Sequence, residues 1–292
     1  MQVAIKHLRS TTPYESFILE YEALKMVGRT NHRNIVQVLQ GFRVEEDGIQ
    51  TYNLLFPQAS CSLKQLLRGD PITPEVYINC QTLWSQFEGL ASALQYINVE
   101  CKTAHQDIKP SNVLLYTEKD DEGPAVVAKL ADFGLAAGLE GAKAYTMGTR
   151  DAEADMWYGA PEMRELTFGY NVEELEVRSP ECLLKCDIWD LGVVFVELLT
   201  YLVFRESGVR KFRLYITTTD ENVQSDAVTD TKFDDGVKAK VQVAQWLSIL
   251  GMKDCRAAEV EGIFWDMVDE APRRPDIGIV VQQLRAVSAQ QI

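Results

Sequence analysis

The sequence lacks the features that identify several large classes of protein. Its six cysteines are scattered and form no Cys-x-x-Cys pair, and Cys182 and Cys186 have no second cluster that could complete a zinc site. The first ten residues contain no long apolar run ahead of a cleavage site, so we identify no signal peptide. The most apolar stretch, residues 188–204, carries Asp190 and Glu197 and is short for a membrane span. We therefore expect reduced thiols, no membrane insertion and a cytoplasmic or nuclear protein.

Basic residues are also scarce. Lysine and arginine number 29 against 43 aspartates and glutamates, which gives a formal net charge of −14. Such a chain repels a phosphate backbone, so we expect no sequence-independent binding of nucleic acid. A solvated surface explains this charge as well as a preference for basic partners does. With 46% hydrophobic and 25% charged residues, the chain is otherwise typical of a folded globular protein.

The start of the sequence predicts strands around one helix. Thr12 can cap a helix whose first turn contains Pro13, and Glu15 can complete a capping box. An Asp-Gly pair at Asp47 and Gly48 is typical of a hairpin turn. The predicted elements are a strand over residues 1–8, a helix from Thr12 to about Gly28, and strands over 34–42 and 49–56.

The remainder of the sequence predicts mostly helices. Apolar residues recur at every third or fourth position from Leu83 to Ile97, which favours a long helix with one apolar face. A hairpin is expected over 113–116 and 126–130, and helices over 186–204 and 274–287. The polar residues 206–237 are interpreted as a long surface insertion.

These elements predict an α+β fold with two lobes. Residues 1–57 would form a small strand-rich lobe, and residues 58–292 a larger helical lobe that carries the insertion at 206–237. Pro57 and the small residues after it favour a break between the lobes. A cleft between two such lobes is a natural place for a ligand.

Four short motifs with chemical side chains occur in a fixed order along the chain. They are Val3-Ala4-Ile5-Lys6, the loop His105-Gln106-Asp107-Ile108-Lys109-Pro110-Ser111-Asn112, Asp132-Phe133-Gly134 and Ala160-Pro161-Glu162. Each motif alone is modest evidence, but together they make a chance match negligible. With these motifs the sequence resembles the eukaryotic protein kinases over almost its whole length, and the resemblance implies a bilobal kinase fold.

The resemblance implies how a nucleotide's phosphates would be held. Lys6 would pair with the α- and β-phosphates of ATP and would itself be held by a carboxylate on the first helix. Glu20 is our choice for that carboxylate. Glu22 is the rival, but it lies about 200° around the helix from Glu20 and should face solvent.

The resemblance also assigns the residues of phosphoryl transfer. Asp107 would orient the substrate hydroxyl and accept its proton, and Lys109 would neutralise the γ-phosphate. Lysine at that position is typical of family members that act on serine and threonine. Asn112 and Asp132 would hold Mg²⁺, which prefers oxygen ligands.

For the adenine, the resemblance implies backbone contacts in the segment between the lobes. Counting back from Leu63 places Leu55 in the gatekeeper position. The carbonyl of Phe56 and the N–H of Gln58 would then face the base. Ala4 and Leu114 match the two positions that sandwich the adenine ring.

Several further residues match structural positions of the family. Asp187 would anchor the backbone of the catalytic loop, and Glu162 would pair with Arg274. The residues that match the hydrophobic column joining the lobes are Leu24, Val38, His105 and Phe133. Ordinary core packing also explains these four residues and the two adenine-sandwich residues, Ala4 and Leu114, and the two interpretations are not exclusive.

The sequence departs from the family pattern in its small lobe and its activation segment. No Gly-x-Gly-x-x-Gly loop precedes Lys6, so we expect an incomplete small lobe, from a truncated gene model or a shortened relative. Where many relatives have Gly-Thr before the Ala-Pro-Glu motif, this chain has Ala154 and Asp155, which puts the geometry of substrate docking in question.

Gln106 is a third departure, because it replaces the arginine that pairs with an activation-loop phosphate in many relatives. A neutral glutamine cannot form that charge-assisted pair. Our hypothesis is that activity does not depend on phosphorylation of Tyr145, Thr146 or Thr149.

The sequence therefore supports three functional hypotheses. The first is a Ser/Thr protein kinase that uses Mg-ATP and acts on protein hydroxyls. The second is a catalytically impaired pseudokinase that serves as a scaffold. The third, a small-molecule kinase of related fold, is disfavoured by the Ala-Pro-Glu turn and the long activation segment.

Overall fold

The computed structural model describes residues 2–8, 12, 14–72, 76, 80–120, 123–139, 157–164, 179–217 and 233–289. The strands are β1 (Val3–His7), β2 (Gln40–Glu46), β3 (Ile49–Pro57), β4 (Cys61–Ser62), β5 (Thr103–Ala104), β6 (Val113–Asp120), β7 (Gly123–Leu130) and β8 (Ala137–Gly138). The helices are α1 (Tyr14–Val27), α2 (Leu63–Arg68), α3 (Gln86–Gln95), α4 (Pro161–Arg164), α5 (Pro180–Thr217), α6 (Val241–Lys253), α7 (Cys255–Met267) and α8 (Ile277–Ala289). The fold is α+β, with a small sheet-rich part ahead of a larger helical part, as predicted.

The small part contains a three-stranded antiparallel sheet in the order β1-β3-β2. Asp47 and Gly48 connect β2 to β3 with φ angles of 50° and 75°, which a tight hairpin turn requires and which this pair tolerates. The strand predicted over residues 34–42 was partly wrong, because β2 begins only at Gln40. The preceding residues pair with the larger part instead, where Leu130 N–H donates to the Asn34 carbonyl at 2.8 Å.

Helix α1 packs on this sheet through residues spaced three or four apart. Its buried residues are Phe17, Glu20, Leu24 and Val27. Phe17 stacks on Tyr52 of β3 with the ring centroids 5.1 Å apart, which fixes the helix against the sheet. Glu20 is a carboxylate within an apolar face, and a buried charge of this kind needs a partner.

Helix α5 is the core of the larger part. Every residue from Cys186 to Leu202 is buried, so other elements must surround this half of the helix. The helix breaks at Arg205, which has φ 59° and ψ −166°. Among the described residues, no helix is both long and apolar enough to cross a bilayer.

The predicted surface insertion over 206–237 was wrong at its beginning. Residues 206–217 form the second half of α5 and bury Val209, Phe212 and Ile216. These three apolar residues have helical spacing, but the polar residues between them hid the pattern. The rest of the predicted insertion up to residue 232 lies outside the described residues.

The hairpin of β6 and β7 directly follows the loop of residues 105–112 in the chain. Side chains cap the outer edge of β7, where the N–H of Val126 donates to Thr82 Oγ1 at 2.8 Å and the N–H of Ala128 donates to Gln86 Oε1 at 3.0 Å. Asn34 Nδ2 donates to the Ala128 carbonyl at 2.8 Å. These contacts occupy an edge that could otherwise pair with another strand.

The helix predicted from Leu83 to Ile97 is divided into three segments. A 3-10 turn covers Cys80–Ser85, α3 follows, and a π turn covers Tyr96–Glu100. The last helix runs over Ile277–Ala289 and so begins a few residues later than the predicted 274.

Candidate active site

Three distant segments meet at the side chain of Lys6. Its Nζ lies 2.8 Å from Glu20 Oε1 on α1 and 2.7 Å from Asp132 Oδ1, which follows β7. Glu22 is 61% exposed and pairs only with Lys25 at 3.4 Å among the described residues. The choice of Glu20 over Glu22 as the partner of Lys6 is therefore confirmed.

The electrostatics keep this cluster charged. Burial acts to lower the pKa of Lys6, but the charges of Asp132 and Glu20 raise it above its ordinary value. Burial acts to raise the pKa of Asp132, yet the Lys6 charge, its hydrogen bond and the Gly134 N–H bring that pKa below normal. For Glu20 burial outweighs the neighbouring ammonium, so its pKa lies above the usual value. The site thus holds an ammonium between two carboxyl groups, at the edge of a cavity.

The residues predicted to act in phosphoryl transfer, Asp107 and Lys109, form a second cluster with Asn112. Lys109 Nζ lies 2.8 Å from Asp107 Oδ1. Asn112 Nδ2 donates to Asp107 Oδ2 at 2.7 Å and to the Asp107 carbonyl at 2.9 Å. Because the amide nitrogen of Asn112 faces Asp107, its oxygen points away from that carboxylate and is a suitable ligand for a hard cation.

Asp187 anchors this loop from below, as the resemblance implied. Its carboxylate is fully buried and accepts the backbone N–H groups of His105 and Gln106, both at 2.7 Å, and Asn98 Nδ2 at 3.1 Å. Gln106 has φ 64°, a conformation that these bonds help to hold. The amide of Gln106 also donates to the carbonyl of Leu135 at 3.0 Å, which ties the catalytic loop to the segment after Asp132.

The predicted hydrophobic column lies behind the cluster. The rings of His105 and Phe133 are 4.7 Å apart, and both side chains are buried. Leu24 is fully buried and Val38 is partly buried against the same core. Packing Phe133 inward leaves the neighbouring Asp132 directed at Lys6.

A cavity of about 400 Å³ lies between the two parts of the fold. The predicted nucleotide residues all line it, together with the two predicted metal ligands: Ala4, Lys6, Glu20, Phe56, Gln58, Asn112, Leu114 and Asp132. Asp107 and Lys109 do not line this cavity. They are joined to it through Asn112, which contacts Asp107 directly.

Leu55, the predicted gatekeeper, does not line the cavity. Strand pairing places Leu55 opposite Ile5 and Phe56 opposite Ala4. Opposite residues share a face of a sheet, so Phe56 faces the cavity with Ala4 while Leu55 faces the other side. Leu54 and Phe56, rather than Leu55, therefore lie on the face of the sheet that carries Ala4 and Lys6.

The two backbone groups predicted to contact adenine, the Phe56 carbonyl and the Gln58 N–H, belong to the ladder between β3 and the start of the chain. The Gln58 N–H donates to the Gln2 carbonyl at 3.1 Å, and at the other end of the ladder the Leu8 N–H donates to the Tyr52 carbonyl at 3.0 Å. Hydrogen-bonded pairs alternate in an antiparallel ladder, so the backbone of Phe56 faces Ala4 rather than the cavity.

The backbone groups of Pro57 and Ala59 also bear on how this segment could bind a base. The Pro57 carbonyl accepts the Tyr116 hydroxyl at 3.1 Å, a contact that sequence reasoning missed because it joins residues 59 apart. Ala59 lines the cavity, and its N–H makes no hydrogen bond with any described residue. Ala59 is thus the better candidate for a donor to a bound base.

The Ala-Pro-Glu turn is fixed by a buried ion pair. Arg274 is 2% exposed, its Nη2 lies 2.9 Å from Glu162 Oε2, and its guanidinium lies 4.8 Å from the Trp189 ring centroid. Burial acts to raise the pKa of Glu162, but Arg274 brings it below normal. The predicted pair is confirmed. The positions Tyr145, Thr146, Thr149, Ala154 and Asp155 lie outside the described residues.

The donor set fits Mg²⁺ bound together with phosphates. One oxygen of Asp132 accepts from Lys6 and Gly134, and its second oxygen makes no hydrogen bond with a described residue. Within the described residues, no group of three or more His, Cys, Asp or Glu side chains is placed to hold a metal alone. A site with few protein ligands is the arrangement that Mg²⁺ uses when phosphate oxygens and water complete its shell.

Comparisons with known proteins agree with this geometry. The family model of the protein kinase domain matches residues 1–249. The chain is 34% identical over 131 residues to the serine/threonine-protein kinase CHK1 of Saccharomyces cerevisiae, a match that covers 45% of this chain and 21% of that protein. It is 30% identical over 234 residues to the LRR receptor-like serine/threonine-protein kinase ERL1 of Arabidopsis thaliana, covering 77% of this chain and 21% of that protein. The chain thus spans about a fifth of the length of these two relatives.

Proposed function

The chain belongs to the protein kinase family, and on that premise we propose that it transfers the γ-phosphoryl group of Mg-ATP to serine or threonine hydroxyls of proteins. The observation that carries the proposal is the meeting of Lys6, Glu20 and Asp132 at one edge of the cavity, beside Asn112 and Asp107. Binding of a nucleotide requires all of these side chains at one place. An ion pair that only stabilises the fold requires two of them.

Lys6 would position the phosphates. Glu20 holds the ammonium at 2.8 Å and so fixes where its charge lies. Asn112 and Asp132 would hold the magnesium ion, which when bound neutralises charge on the phosphate oxygens. Ala4, Phe56 and Leu114 supply apolar surface for a base.

Asp107 would orient the acceptor hydroxyl and take its proton. Its carboxylate is held by Lys109 and Asn112, so its direction is fixed before a substrate arrives. The Lys109 ammonium lies 2.8 Å from the Asp107 carboxylate, so its positive charge would lie beside the γ-phosphate during transfer. The lysine at this position and the names of the relatives support serine and threonine as acceptors.

The test is a phosphotransfer assay with labelled ATP, Mg²⁺ and a generic protein substrate. Asp107→Asn should lower turnover by about 10²–10⁴-fold, because it removes the proton acceptor. Asp47→Asn is the matched control, since it makes the same change in an exposed turn whose backbone suits asparagine. Equal activity of the Asp107 variant and the parent would overturn the assignment of Asp107.

The alternative, a catalytically impaired scaffold, is decided by binding. If the protein is a kinase, Mg-ATP should raise its midpoint of thermal unfolding, and Lys6→Met should abolish that shift. Absence of both turnover and a thermal shift would favour the scaffold.

A further inference from the structure

Besides Asp187, helix α5 carries another fully buried carboxylate, far in the sequence from Lys6. Glu197 of α5 is fully buried, and it accepts hydrogen bonds from Trp157 Nε1 at 3.1 Å and Tyr158 OH at 2.9 Å. Arg213 donates to it from Nε at 2.7 Å and from Nη2 at 3.1 Å. The same Nη2 donates to Tyr158 OH at 2.8 Å. We call these four residues the Glu197 clamp.

The clamp depends on the break in α5. Glu197 and Arg213 are 16 residues apart. In an unbroken helix, that separation would place them about 24 Å apart along the axis, far beyond the reach of an arginine. The helix turns at Arg205, whose φ of 59° and ψ of −166° form a backbone conformation almost restricted to glycine. A strained residue persists only when the surrounding contacts hold it, and the bidentate pair between Arg213 and Glu197 is such a contact.

The Glu197 clamp binds the end of the activation segment, the part of the chain from Asp132 to Glu162, through Trp157 and Tyr158. Trp157 and Tyr158 lie three and two residues before Ala160, whose N–H donates to Asp190 at 3.2 Å, and the turn then reaches Glu162, which Arg274 holds. Two arginine–carboxylate pairs therefore fix this segment, one on each side of Ala160, and in each pair one side chain, Glu197 or Arg274, is fully buried.

We infer that Arg213 is a positioning residue that holds the Trp157–Tyr158 segment, the surface on which a protein substrate lies for phosphoryl transfer. This inference rests on the proposed function for the substrate, but the clamp itself does not require activity. The guanidinium serves both Glu197 and Tyr158, a geometry that the single ammonium of lysine cannot reproduce.

The charges support a permanent clamp. Burial acts to lower the pKa of Arg213, but the Glu197 carboxylate raises it above its ordinary value. Burial and then Glu197 raise the pKa of the Tyr158 hydroxyl, so it remains a donor. The Arg213 guanidinium therefore keeps its charge, and the Tyr158 hydroxyl its proton, across the ordinary working range of pH.

The first experiment measures backbone hydrogen exchange in the peptide that covers residues 157–163. Arg213→Gln should speed exchange there by about 10- to 100-fold, the loss expected for hydrogen bonds to a charged group. Arg213→Lys should give an intermediate rate. Arg210→Gln is the matched control, because Arg210 is an exposed arginine on the same half of α5, and it should exchange like the parent.

A paired variant keeps this test valid if a lone buried carboxylate prevents folding. Glu197→Gln combined with Arg213→Gln leaves no unpaired charge and should fold. It should still exchange rapidly over 157–163, while the peptide over residues 186–196 stays protected. Unchanged exchange over 157–163 in a folded Arg213 variant, or an equal increase in both peptides, would overturn the clamp.

The second experiment tests the link to the substrate. In Arg213→Lys the KM for a protein substrate should rise about 3- to 10-fold, with the KM for ATP unchanged, whereas Arg210→Gln should change neither. Faster exchange with an unchanged protein KM would overturn the substrate role. If the parent transfers no phosphate at all, the proposed function fails, and the exchange measurement alone decides whether the clamp exists.

Discussion

Replacing Lys6 with methionine should destabilise the folded protein, and more so at neutral pH than in acid. The carboxyl group of Glu20 is 5% exposed and pairs with Lys6 at 2.8 Å. Removing one partner of a buried pair costs about 3–5 kcal/mol. The Lys6 side chain is 34% exposed, so water can reach the site and reduce that cost. We expect a loss of about 1–3 kcal/mol in the free energy of unfolding near pH 7.

The pH dependence follows from the sign of each shift. Because the pKa of Lys6 is raised from 10.5 by its partners, its contribution is fully present below that value and cannot vary in mild acid. The pKa of Glu20 is already raised by burial, and losing Lys6 raises it further. A carboxyl group whose pKa is raised in the folded protein destabilises the fold only at pH values above its ordinary pKa, where the group ionises in the unfolded chain. The cost of Lys6→Met should therefore grow from about pH 4 to about pH 7.

Urea unfolding at several pH values measures this effect. Lys25→Met is the control, because Lys25 pairs with Glu22 at 3.4 Å where both side chains are more than half exposed. The control should cost less than about 0.5 kcal/mol. Adding Glu20→Gln to Lys6→Met should restore part of the loss. A Lys6→Met cost that equals the control, or that does not change with pH, would refute the reasoning.

Three further predictions concern Arg274, Tyr116 and Thr149. Arg274→Ala should lower the free energy of unfolding by about 3–5 kcal/mol, because it leaves Glu162 without its buried partner; a loss below about 1 kcal/mol in urea would contradict this. Tyr116→Phe should cost about 0.5–1.5 kcal/mol and weaken nucleotide binding a few-fold, because the Pro57 carbonyl loses its donor; calorimetric titration with Mg-ATP checks this, and unchanged affinity counts against it. Thr149→Ala should retain activity in the phosphotransfer assay, and loss of activity without unfolding would count against independence from phosphorylation.

The meeting of Lys6, Glu20 and Asp132 could be predicted from sequence because each residue lies in a recognisable motif. Lys6 and Asp132 are 126 residues apart, yet the resemblance of their motifs to those of protein kinases assigned both to one site. Glu20 was chosen because the pattern from Phe17 to Leu24 resembles the family's helix, and helical geometry set Glu22 about 200° away around the axis. Asp47 and Gly48 likewise specify their turn through positive φ angles, which few residue pairs tolerate.

The segment between the lobes could not be placed in the same way. Residues 58–60 have no regular structure, so counting back from Leu63 carries no information about a one-residue offset. A shift of one residue in a strand moves every side chain to the opposite face. Only the pairing of β3 with β1 shows that Phe56, and not Leu55, faces Ala4.

Two buried glutamates, Glu20 and Glu197, show where sequence reasoning ends. Both are paired with a cation from a distant segment, at 2.8 Å and 2.7 Å respectively. Glu20 was found because its partner lies in a recognisable strand motif. Arg213 has no such motif, and an arginine at Arg205 gives no signal of a positive φ, so nothing in the sequence indicates that the chain turns back there. A contact that depends on a strained backbone angle is determined by the packing of α5 as a whole. Arg205→Gly should therefore leave the clamp intact, because glycine adopts the same angle without strain, while a proline there, whose φ is fixed near −65°, should open it.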